Sequence, residues 1–195
     1  MKKKSDIALL IASIVFFVTM GSVFILQRCS KSKQFVSEQD YTTLVLAHVS
    51  ELEKEITGHI LDSQWAFWGN DSLSRFPLTQ FAITEKIFFY FTQNVCPPCL
   101  IATVDIIKQY FPDYEQNDTI IFISPDWTPR LRYDCYGKKL LTLQNGKIGV
   151  TLEEDIPLFF KISNGMELTD VHIVTKVDFE RTEAYLRNIV GASGI

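Results

Sequence analysis

Cys96-Pro97-Pro98-Cys99 lies where the hydrophobic pattern of the chain changes period. Upstream, Lys86-Ile-Phe-Phe-Tyr-Phe-Thr92 is a short aromatic and β-branched run, the mark of a buried strand. Downstream, Leu100, Ile101, Val104, Ile107 and Phe111 recur at the spacing of an amphipathic helix. The pair therefore opens a helix directly after a strand. Free N–H groups and the helix dipole favour a thiolate on Cys96 there. Cys99, one turn in, stands near enough to close a disulfide. A disulfide loop this short restricts little chain entropy, so stability alone is a weak reason for the spacing.

The surroundings extend the pattern. Thr119-Ile-Ile-Phe-Ile-Ser-Pro125 is a second buried run, and strand, helix, strand at this spacing predicts a parallel βαβ unit with a right-handed crossover. From Asp126 to Asp155 the pattern weakens: Tyr133, Cys135, Leu140, Leu141 and Leu143 look partly buried, and the stretch reads as an insertion. Order returns with two strand-like runs, Asp155 to Ser163 and Leu168 to Val174, joined across Asn164-Gly165, a strong hairpin signal. Asp178 then caps a helix from Phe179 to Val190, closed by Gly191.

The N-terminal part reads differently. Ile7 to Leu26 carries no charge and is flanked by Lys2-Lys3-Lys4 and by Arg28, Lys31 and Lys33. It is long enough to span a bilayer and longer than a signal-peptide apolar core of about 7–15 residues. The expectation is an uncleaved signal anchor with the N-terminus inside and the rest exported; Gly21 and Ser22 leave a cleavable signal as the alternative. Cys29 follows Leu26-Gln27-Arg28, and the charged Arg28 argues against lipidation. Tyr41, Val45, Val49, Leu52, Ile56 and Ile60 then form one helical stripe, a neck packed on the domain or leading to it, with a homodimer contact through residues 41–60 as the sharper alternative. The organisation expected is an N-terminal tip and anchor over 1–30, a helical neck and linker over 31–72, and a folded domain over 73–195. The net charge of −4 and the lack of a basic stripe interleaved with aromatics exclude nucleic acid as an expected partner.

Strand, Cys-x-x-Cys helix, strand, then Ile156-Pro157 before a hairpin and a last helix resembles the thioredoxin-like superfamily. With the anchor in front, the chain is similar in style to membrane-tethered thiol-disulfide oxidoreductases of bacterial envelopes. The resemblance covers roughly residues 76–192. It implies an α/β fold, a central mixed sheet flanked by helices, preceded by a transmembrane helix. It also implies that Cys96 attacks, Cys99 resolves, Pro97 and Pro98 shape the motif, and Pro157 is a cis-proline that turns Ile156 toward a substrate backbone. The redox-active pair replaces any cofactor, and no metal is implied. The implied partners are exported proteins with disulfides and an upstream thiol donor, met by a single-pass membrane protein whose C-terminal domain lies in the periplasm or extracytoplasmic space.

Two departures stand out: Val95 replaces the Trp common before the first cysteine, and Tyr90 stands where family members carry a buried acid. The prolines remove N–H donors and the motif holds no His or Lys, so a moderately lowered Cys96 pKa and a reductant or isomerase-like poise are expected. The competing reading is a non-catalytic binding module with a structural disulfide. A zinc site would need ligands drawn from Cys135, His48, His59 and His172, with no second paired spacing. A peroxidase of the same fold would want Thr and Pro where Gln93 and Phe89 stand. Cys135 is read as a small buried residue, or as a third redox cysteine if it comes within disulfide reach of Cys96.

Overall fold

Three neighbouring strands are buried along their whole length, because every residue in them has a packed layer to face. In a computed structural model describing residues 38–62, 65–69, 74–82, 86–125, 135–144, 148 and 156–193, these are β3 (Ile87–Tyr90), β4 (Ile120–Ser124) and β5 (Leu140–Leu143). They run parallel to one another. β6 (Leu158–Ile162) pairs antiparallel with β3, and β7 (Leu168–Ile173) antiparallel with β6. On the other side β1 (Trp65–Trp68) lies antiparallel to β5, followed by the two-residue β2 (Phe76–Pro77). The sheet order is β2-β1-β5-β4-β3-β6-β7.

The pleat sends alternate residues of each strand to opposite faces. Ile87, Phe89, Phe122 and Phe159 fill one core layer, together with Val104 and Ile107 of α3 (Pro97–Tyr110) and Leu186 and Ile189 of α4 (Phe179–Ser193). Phe88, Tyr90, Ile123 and Phe160 fill the other, under Val49 and Ile56 of α1 (Glu38–Ile56) and Phe81 of the short α2 (Thr79–Ala82). Stacked phenylalanines tie β3 to β6 on both faces: Phe89 with Phe159 at 4.8 Å and Phe88 with Phe160 at 5.3 Å between ring centroids. A mixed sheet between helices, with the Cys-x-x-Cys helix following a central strand, is a thioredoxin-like α/β fold.

Several expectations need correcting. The stretch expected to be an insertion, Asp126 to Asp155, contains β5, which stands between β4 and β1. The compact unit runs from Val45 to Ile195, so the folded domain begins before residue 73. The helical stripe itself behaves as the expected neck packed on the domain, since Val45, Val49, Leu52 and Ile56 pack into the second core layer. Backbone bonds from Gly58 N to Leu168 O (2.8 Å) and from Leu61 N to Met166 O (2.9 Å) fasten the following segment to the hairpin, leaving no free linker there. Of the other unit, Met1–Leu44, only the first turns of α1 are described.

The hairpin turn is wider than a two-residue Asn-Gly turn. Ser163 N donates to Glu167 O at 2.9 Å, and the left-handed residue is Met166 at φ 63°. A three-residue loop with its last residue left-handed is the next commonest hairpin solution. α4 continues past Gly191 to Ser193. The apolar segment Ile7–Leu26 lies outside the described residues; among the described residues, no helix is long and apolar enough to cross a membrane.

Candidate active site

β3 delivers the chain to the C-terminal edge of the sheet, where a turn brings Val95 N to 3.4 Å from Thr92 O. Val95 is buried in the first core layer and anchors the loop, while Cys96 beside it is exposed. Cys96 is the N-cap of α3, at φ −51° and ψ 117°, and its carbonyl accepts the first helical bond from Leu100 N at 3.0 Å. Pro97 and Pro98 suit the first helical positions, since their fixed φ matches the helix and their missing N–H groups have no helical acceptor. Cys99 is half-buried one turn in, and Thr103 Oγ1 donates to its carbonyl at 2.8 Å. Pro97, Pro98 and Ile101, which is 47% exposed, give the Cys96 thiol an apolar rim.

After two prolines, the N–H of Cys99 is the first amide donor the helix offers. The thiol of Cys99 and then this N–H pull the Cys96 pKa below the ordinary thiol value; a small loss of solvation opposes them, and the positive charge of Lys176 adds to them. Cys96 makes no full capping bond in this conformation, so these are favourable approaches rather than a closed cap. Cys99 moves the other way: its bond to Cys96, then burial, then the Cys96 charge raise its pKa. The pair accordingly loses its first proton from Cys96 and keeps the second on Cys99. This splits an exposed nucleophile from a protected resolving thiol.

Both cysteines are free thiols here. The cis-proline expectation is not met: no peptide bond among the described residues is cis, so Ile156–Pro157 is trans. Trans is the intrinsically favoured isomer by about 0.5–1 kcal/mol. Pro157 is buried just before the first residue of β6, a place where its missing N–H breaks no ladder bond, and its carbonyl accepts from Val174 N at 2.9 Å. Ile156 is half-buried against the second core layer. Since Leu158 pairs with Tyr90, the Ile156-Pro157 segment does reach the edge of the sheet from which Cys96 departs.

Cys135 goes to the opposite end. It forms a bridge with Lys138, whose ammonium donates to Asn117 O at 2.7 Å, beyond the far end of α3. The fourteen residues of α3 span about 21 Å, which removes Cys135 from disulfide reach of Cys96 in this conformation. Among the described residues, no group of three His, Cys, Asp or Glu is placed to hold a metal.

Two features escaped the sequence reading. Lys176, eighty positions from the motif, acts electrostatically on both cysteines. The second is a buried polar cluster. Glu53 of α1 accepts from Ile173 N at 2.7 Å and pairs with Arg181, while His172 shares a 3.0 Å bond with Thr182 and stacks on Tyr185 at 4.5 Å. A lone acid on a helix and a lone histidine on a strand gave no signal that they would meet.

No family model matches the chain, and no curated protein matches it. Among solved structures, it is similar to an uncharacterized thioredoxin-like protein from Porphyromonas gingivalis, at 21% identity and a TM-score of 0.44, covering 68% of this chain and 90% of that one. A thiol peroxidase from Chromobacterium violaceum matches at 14% identity and a TM-score of 0.45, covering 68% and 86%. The thioredoxin domain of a thiol-disulfide oxidoreductase from Bacteroides vulgatus matches at 17% identity and a TM-score of 0.39, covering 67% and 97%. At these identities the chemistry must be argued from the site itself.

Proposed function

We propose that this protein is a thiol-disulfide oxidoreductase that reduces or isomerises disulfides in exported proteins through Cys96 and Cys99. The observation that carries this reading is the split pair: an exposed, thiolate-prone Cys96 at a helix N-cap beside a half-buried Cys99 that holds its proton. Cys96 thiolate attacks one sulfur of a substrate disulfide, and the other substrate sulfur leaves as a thiolate. Cys99 then loses its proton and attacks the mixed disulfide at Cys96, releasing the second substrate thiol. The enzyme ends as a disulfide and needs an upstream dithiol to return it to the reduced state. The apolar rim of Pro97, Pro98 and Ile101 suits polypeptide substrates whose disulfides lie in exposed apolar segments.

Replacing the resolving cysteine tests the scheme. The reduced Cys99→Ser protein, incubated with insulin, is expected to accumulate a mixed disulfide at Cys96 that dithiothreitol releases, while Cys96→Ser accumulates none there. Equal labelling of the two variants, with insulin reduction by the native protein no faster than dithiothreitol alone, would favour the non-catalytic binding module.

In the same reading, residues 7–26 tether the domain to a membrane, with the C-terminal domain outside the cytoplasm, where substrates carry disulfides. The full chain is expected to stay with the membrane fraction in alkaline carbonate, and a chain starting at residue 31 to be released from it. Release of both would end the tether.

A further inference from the structure

The motif contains no positive charge of its own, yet the fold brings one to it. Tyr90, Leu158 and Ile173 form a single row across β3, β6 and β7, so three chain segments meet the same edge of the sheet next to that row. From this edge β3 leads through the Thr92–Val95 turn into α3, and β7 leads through the Thr175–Asp178 turn into α4. The two helices then lie side by side on one core layer, with Leu100 and Val104 of α3 in the same cluster as Leu186 and Ile189 of α4. Both helices therefore start from the same edge of the sheet. Cys96 caps one of them. Asp178 caps the other, its Oδ1 accepting from Arg181 N at 3.0 Å.

Lys176 stands two residues before that second cap, exposed in a turn fixed at several points. Val174 N is bonded to Pro157 O at 2.9 Å, and Asp178 N to Thr175 O at 3.3 Å. Val177 N donates to Thr175 Oγ1 at 3.3 Å. The backbone under Lys176 is thus held, and its charge acts on Cys96 at the start of the neighbouring helix. Resting on the disulfide-exchange reading above, we propose that Lys176 is the positioning residue that steadies the Cys96 thiolate, supplying from the β7–α4 turn the positive charge that the Cys-Pro-Pro-Cys segment lacks.

Among the described residues, the groups that act on Cys96 are Cys99 from α3 and Lys176 from this turn. Asp178, the acid nearest Lys176 in the same turn, spends a carboxylate oxygen on the Arg181 amide. The lysine also acts on Cys99, in the direction that eases its deprotonation, so one cation serves both the attack and the resolving step. Because it is exposed, its influence falls as salt rises.

The experiment reads the thiolate and does not require turnover. In the reduced full chain, iodoacetamide labelling of Cys96 is followed by peptide mass spectrometry across a pH series. Lys176→Gln is expected to slow labelling at pH 7 by roughly two- to threefold and to move the profile to higher pH. Lys176→Glu moves it further, Lys176→Arg restores it, and high salt brings the native profile toward that of the Gln variant. A Gln profile that coincides with the native one, or an Arg variant that behaves like Gln, overturns the proposal. Failure of the trapping experiment with a shifted Lys176→Gln profile would instead remove the oxidoreductase reading and leave the lysine's action on Cys96 standing.

Discussion

Replacing Glu53 with alanine is expected to lower the unfolding free energy by about 3 kcal/mol, at the low end of what losing one partner of a buried pair costs. The carboxylate is 14% exposed and serves two partners. One oxygen accepts the Ile173 amide at 2.7 Å, and the other pairs with the Arg181 guanidinium. Alanine leaves a buried amide without its acceptor, worth roughly 1–3 kcal/mol, and a cation stripped of its counter-charge. Arg181 is 29% exposed and regains some water, which keeps the loss below the upper range. Urea unfolding at neutral pH measures the effect. The double replacement Glu53→Leu with Arg181→Met should lose less than the sum of the single changes, because no unpaired charge remains. A single-variant loss below about 1 kcal/mol would show that the cluster is incidental to stability.

Acid is expected to unfold the same region through His172. Burial first, and the Arg181 charge second, push its pKa from 6.5 down to about 3. Its Nδ1 lies 3.7 Å from Glu53 Oε1, which would favour a charged ring. That oxygen already accepts the Ile173 amide, however, and the imidazole is packed against Tyr185 and Phe159, so the neutral ring is the better account. The sign follows from proton uptake. Between about pH 6.5 and 3 the unfolded chain binds a proton that the folded chain refuses, so stability is fully present above 6.5 and is lost as the pH falls through this window. The full loss is on the order of 5 kcal/mol. His172→Gln keeps a hydrogen-bonding group for Thr182 and does not titrate. Its stability at neutral pH should be lower than native, and its decline between pH 6.5 and 4 shallower by roughly 3 kcal/mol. Parallel declines for the two proteins would mean that other groups set the acid limit.

What the sequence made legible was local. Ile87–Tyr90 and Ile120–Ser124 are continuous aromatic and β-branched runs, Pro97–Tyr110 has a clear helical period, and the Asp178 cap is confirmed by its bond to Arg181 N. Cys96 and Cys99 were legible for the same reason, since strand end, helix start and motif are contiguous. β5 was missed because Leu140–Leu143 is mostly leucine, with one β-branched residue and no aromatic, so it lacks the strand-forming composition that marks Ile87–Tyr90 and Ile120–Ser124. Trp65–Trp68 carries no strand signal of its own, and only pairing with β5 makes it a strand. Lys176 and the Glu53 cluster depend on which chain segments share an edge or a layer, and a one-dimensional pattern does not carry that. Pro157 shows the converse. Its position at the edge of the sheet followed from the order of elements, but the state of its peptide bond did not.

The clamp at Glu53 also sets an order of events in time. Its two partners lie 120 and 128 positions further along the chain. β3, α3 and β4 can assemble from contacts close in sequence, whereas the part of α1 that closes the second core layer must wait until β7 and α4 exist. Contacts of such long separation are slow to form, because a large loop has to close before they contribute. The helix made first is therefore the one seated last, and until then Val49 and Ile56 stay open to other binders. That interval is when the nascent domain is most exposed to chaperones and proteases.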